Sequence, residues 1–153
     1  MQAAIASRIG LPRSVAAAIA EIGTAESCLV LVENSEAAIA PFSIDRIVER
    51  FGRLAAIREA LLAREDVAAA TRLALLAKLS EALVGFVAER QWLALDDVRR
   101  IAREACEKAT VTLAADTPST QMRPLIRHLR MSEQLTAGLI LRALLCGNVA
   151  LFQ

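Results

Sequence analysis

Arg123, Arg127 and Arg130 recur at i, i+4 and i+7, so they fall on one stripe of a helix, with His128 alongside and Glu133 the only acidic residue nearby. A planar guanidinium binds a carboxylate or phosphate through two parallel hydrogen bonds. The stripe is therefore the first candidate contact for an anion or an acidic partner, against the competing reading of an ordinary solvated face. Arg99, Arg100 and Arg103 form a second basic cluster. Glu104 and Glu107 stand four residues after Arg100 and Arg103, the spacing of self-neutralising helix pairs. Arg46, Glu49, Arg50 and Arg53 read the same way.

Other chemistry is sparse. His128 is the only histidine, so any Ser-His-Asp or Cys-His arrangement would have to use it, and a metal site would have a single imidazole. No GxSxG, HExxH, Walker loop or GxGxxG occurs. Cys28, Cys106 and Cys146 are widely spaced, odd in number and set in apolar helical contexts, which predicts buried free thiols. Asp96-Asp97 and Glu65-Asp66 pair carboxylates at helix starts, where capping explains them. Trp92 follows a long helix and is expected to plug a joint between subdomains, with an exposed binding anchor as the lesser reading. These residues predict no enzyme, no cofactor and no metal.

The elements that carry these side chains are helical. The chain has 153 residues and 16.4 kDa, with 56% hydrophobic residues, 3% aromatics and a mean hydropathy of +0.44. This fits one domain with a core and excludes a disordered chain. Few aromatics and glycines argue against an all-β sandwich or barrel. A net charge of +1 supplies no general attraction to nucleic acid or membrane. Only residues 117–153 are locally basic, with four basic residues against one acidic. No apolar run is long enough for a membrane span and no signal peptide is evident, so a cytoplasmic location is expected.

Along the chain, Ile9-Gly10-Leu11-Pro12 and Ile39-Ala40-Pro41-Phe42 begin units 30 residues apart, and Gly23 and Gly52 lie 29 apart. Such a period, with two short helices per unit, marks a helical solenoid. Pro12 suits a first turn, Val15, Ile19 and Ile22 share a face, and Gly23 supplies a left-handed stop. Thr24 caps the next helix, and Ser43 caps one with Ile44, Ile47, Val48 and Phe51 inward. Leu54, Ile57 and Leu61 line its partner. Asp66 is expected to cap a long helix to about Arg90, apolar on two sides and therefore central, packed on neighbours before and after it. Asp96 caps the next helix, whose buried stripe is Val98, Ile101, Ala102, Ala105, Ala109 and Leu113. Pro124 starts or kinks a short helix, Thr136 caps another that ends at Gly147, and Asn148 could begin one more.

Specific stretches resemble a known family. Gln2 to Arg8, Leu11-Pro12 to Val15, Leu29 to Asn34 and above all Leu135-Thr136-Ala137-Gly138-Leu139-Ile140-Leu141-Arg142-Ala143-Leu144-Leu145-Cys146-Gly147-Asn148 resemble the bacterial domain-of-unknown-function family numbered 2336. The resemblance implies a helical fold of HEAT-like repeats. It implies no activity and carries over no functional residues. Family members usually have more repeats before the Gln2 segment and a helix past the final Phe, so the chain is expected to be a fragment or excised domain. The expected fold is all-α, an α-solenoid of HEAT-like helix pairs over 1–65 packed onto a C-terminal helical bundle over 66–153, within one domain. The expected function is a protein–protein interaction module or scaffold. Its groove is lined by second helices near Arg58 and Arg64, with Arg123, Arg127 and Arg130 as the basic contact, and homodimerisation through such a surface stays open. A nucleic-acid-binding solenoid using Arg99, Arg123, Arg127 and Arg130 is the alternative, weakened by the absence of interleaved aromatics. A small-molecule-binding regulator with a cavity beside the central helix is the second alternative.

Overall fold

Prolines phase the N-terminal half of the chain. In a computed structural model of the protein, residues 1–148 are described. Its helices are α1 (Gln2–Ala6), α2 (Arg13–Ile22), α3 (Ala25–Glu33), α4 (Pro41–Phe51), α5 (Ala55–Leu62), α6 (Ala69–Glu89), α7 (Leu95–Asp116), α8 (Ser119–Met131) and α9 (Ala137–Leu145). No strand occurs among the described residues. Pro12 is the N-cap of α2 and Pro41 the first residue of α4, where a missing N–H leaves no bond unmade. Any helix begun at Asn148 lies outside the described residues. Two compact units divide the chain, Met1–Leu75 and Leu76–Gln153, and the boundary falls inside α6.

In the first unit, α3 packs between α1 and α5, and α2 packs on α4, so the helices form two layers. Ile19, Leu31, Ile47, Ile57 and Leu61 meet in the core, joined by Leu75. Polar side chains tie each layer along its length. The Asn34 amide donates to the carbonyls of Ala6 (2.9 Å) and Arg8 (3.0 Å) at the end of α1. Arg50 donates to Ala20 (2.7 Å) and Gly23 (2.8 Å) at the end of α2. Arg64 reaches Val32 (3.1 Å) and Asn34 (3.3 Å) at the end of α3. All six bonds span 26–32 residues, and each satisfies carbonyls that a helix end leaves without partners. Arg46 adds a two-pronged ion pair from α4 to Glu21 on α2 and a third contact to Glu49. Cys28 is buried and its thiol donates to the Ile19 carbonyl; burial pushes it above its ordinary range, against the pull of Arg50.

Several expectations need correction here. Gly23 is extended (φ −68°, ψ 163°) and Gly52 right-handed, so neither is a left-handed stop. Ile22 points to solvent at 74% exposure. Ser43 lies inside α4, buried, with no partner for its hydroxyl among the described residues, and Ala40 is the N-cap. Asp66 sits ahead of α6, and its carboxylate also accepts from the Arg64 guanidinium. Arg50 is drawn into the fold and lies 4.5 Å over the Phe51 ring, so it belongs to no solvated face.

In the second unit α7 packs closely on α9. Thr136 caps α9 as expected, accepting from Leu139 N, while its hydroxyl donates to Glu107 on α7 at 2.8 Å. Glu107 also faces Arg142 at 3.9 Å, so it does not neutralise Arg103 as its spacing suggested. Asn148 follows Gly147 (φ 68°) and donates to the Val111 carbonyl on α7. In α8, Pro118 is the N-cap and Pro124 lies within the helix rather than at its start. Met122, Leu125 and Leu129 form its buried face.

Candidate functional site

Leu76 marks a change in α6. Its first turns bury Ala69, Thr71, Leu73 and Leu75, yet no residue from Leu76 to Glu89 is buried. Leu79, Leu83 and Phe86 follow i, i+4, i+7 on one stripe and remain 44%, 56% and 43% exposed. The helix stops where Gln91 takes a left-handed conformation (φ 54°), with Gln91 N and Trp92 N returning to the Ala88 and Val87 carbonyls. α7 restarts after Ala94, with Asp96 and Asp97 in its first turn, where carboxylates favour the helix dipole; Asp96 is not the cap. On α7 the buried residues are Val98, Thr110, Val111 and Ala114, whereas Ile101 is 49% exposed and Ala105 is exposed. The long helix is thus not covered on both sides, and of the expected α7 stripe Val98 alone is buried while Ile101 and Ala105 face outward.

Between these two surfaces runs a groove of about 310 Å³. Leu79, Leu83 and Val87 form one wall; Ile101, Ala102 and Cys106 form the other; the accessible lining is wholly apolar. Trp92 stands beside it at 62% exposure, correcting the expectation of a buried plug. Its ring meets Phe86 edge-on, 5.6 Å between centroids at 86°. The Arg90 guanidinium covers Phe86 at 4.3 Å and reaches Trp92 at 5.7 Å, an arrangement held by cation–π attraction. On the solvent side of α7, Arg100 pairs with Asp97 (3.1 Å) and Glu104 (3.4 Å), hydrogen bonds that raise its pKa. A greasy channel with a neutralised margin and no polar group inside offers shape and burial, not bond chemistry.

The expected contact residues are placed as follows. Arg123, Arg127 and Arg130 are exposed on α8, opposite its buried face, and have no ion pair among the described residues. Arg99 is exposed on α7. Arg58 donates to the Gly52 and Arg53 carbonyls, and Arg64 is occupied by α3 carbonyls and Asp66 while bordering an open depression with Glu33 and Ser35. His128 is half-buried, its Nε2 without a partner among the described residues. Cys106 is half-buried and Cys146 exposed, so only Cys28 fits the buried-thiol expectation. Among the described residues no cluster of three or more His, Cys, Asp or Glu could hold a metal, and no helix is long and apolar enough to cross a membrane. A cavity beside the central helix was expected only for a small-molecule regulator, and its lining residues were not named, although a helix apolar on two sides was the signal.

The family model described as "Uncharacterised protein conserved in bacteria (DUF2336)" matches residues 1–153. No curated protein and no solved structure gives a match.

Proposed function

The chain belongs to the DUF2336 family along its whole length, and we propose that it is a non-enzymatic protein-interaction module, a HEAT-like helical scaffold acting in the cytoplasm. The layering of α1, α3 and α5 beside α2 and α4, with ties that recur at about one period, supports the helical-repeat part of this reading. The observation that carries the function is the groove of α6 and α7. Leu79, Leu83, Leu93 and Ile101 stay 44–56% exposed along an apolar channel, where an isolated soluble protein would bury or replace them. Trp92 and Arg90 at its end are residue types that dominate binding energy when desolvated. Arg123, Arg127 and Arg130, exposed and without an ion pair among the described residues, support a lesser reading, phosphate contact with a nucleic acid, against which the net charge of +1 weighs.

A photo-crosslinking amino acid placed at Leu83 tests this in living cells, with the same group at Arg127 as the comparison. The expected result is a protein adduct from position 83 and none from position 127. Absence of any protein adduct at 83 would overturn the interaction reading.

A further inference from the structure

We propose that the groove between α6 and α7 is filled by the same two helices of a second copy of this chain, in a twofold pair. This rests on reading the groove as a contact surface, and it names the occupant. The surface is self-complementary. α6 carries large knobs, Leu79, Leu83 and Phe86, while the α7 wall carries the small side chains of Ala102 and Ala105. A twofold axis sets each row of knobs against the other copy's shallow wall, the requirement of an isologous interface.

The area fits as well. Leu79, Leu83, Phe86, Trp92, Leu93 and Ile101 are 43–62% exposed. At about 200 Å² for a fully exposed large side chain they present roughly 600 Å² of apolar surface. The half-buried Leu76, Val84 and Val87 beside them bring this toward the ~800 Å² per partner of a stable interface. Charge points the same way. Residues 76–108 carry six basic and six acidic side chains, so a second copy meets no net repulsion and a strongly charged partner gains nothing.

Light scattering after size exclusion, on the full chain from about 1 to about 100 μM, reads the outcome. The expected mass is twice 16.4 kDa. Leu83→Glu and Ile101→Glu are each expected to halve it while keeping the wild-type circular dichroism. Leu62→Glu, at a site 57% exposed in the first unit, is expected to leave it unchanged. A wild-type mass of 16.4 kDa throughout, or folded Leu83→Glu and Ile101→Glu variants that keep the doubled mass, would overturn the proposal. Should both variants fail to fold, alkylation of Cys106 in the wild type decides. Its rate should fall as protein concentration rises, and a rate independent of concentration rejects the pair. A monomer that still yields an adduct from position 83 with a different protein ends this proposal and leaves the interaction reading standing; a monomer with no adduct ends both.

Discussion

Asp66 and Arg64 form an ion pair at 2.8 Å in which the guanidinium is largely buried and the carboxylate is 54% exposed. The hydrogen bond from Arg64 holds the Asp66 carboxyl below its usual range, and the same bond raises Arg64. A carboxyl with a lowered folded pKa adds stability above its unfolded value of about 3.9 and loses it as pH falls through the folded value. Asp66→Asn is therefore expected to cost about 0.5 kcal/mol at pH 7, in the range of partly exposed pairs. The gap to the parent chain should close below pH 4 or so, as read by urea unfolding at both pH values. The acidic residue was legible in sequence, but its ion pair was not. A carboxylate ahead of an apolar run reads as a cap, and the fold adds a bond from an arginine two residues earlier.

At the scale of elements, the ties from Asn34, Arg50 and Arg64 to earlier helix ends bind each layer of the first unit. Arg50→Ala removes two hydrogen bonds from a charged donor and strands the Ala20 and Gly23 carbonyls. It is expected to destabilise the protein by about 2 kcal/mol, with Arg50→Lys recovering only part because a point ammonium cannot span both acceptors. Thermal unfolding followed at 222 nm checks the order. Caps with a side-chain oxygen and a following apolar run were readable, as Thr24 and Thr136 show. The α4 stripe was readable too, with Ile44, Ile47 and Val48 buried as their spacing requires. Ser43 misled because Pro41 starts the helix two residues sooner and carries the serine inside. Arg50 was read as solvated because its acceptors lie 27–30 residues away and leave no local trace.

For the molecule as a whole, the sequence made the helical class plain and pointed to a cavity beside the central helix without saying that its walls stay open. Apolar spacing marks a face that must be covered, without saying whether the cover comes from the same chain. Leu79, Leu83 and Ile101 satisfy the pattern of a core and are nonetheless 44–56% exposed. If their cover is a second copy, folding of the second unit is linked to association by mass action. Its melting temperature should rise by a few degrees for a tenfold increase in protein concentration, while Leu83→Glu melts at a lower, concentration-independent temperature. Differential scanning calorimetry at two concentrations makes that comparison.

The ties of the first unit also constrain how such a chain can grow or shrink. Since Asn34 and Arg64 each grip a helix end laid down 26–32 residues before, cutting out one whole stride is expected to deliver the remaining gripping side chain to a similar set of oxygens. Removing half a stride is expected to leave a charged group facing the wrong flank and a helix tail unclaimed. Urea unfolding of the two deletions reads the difference.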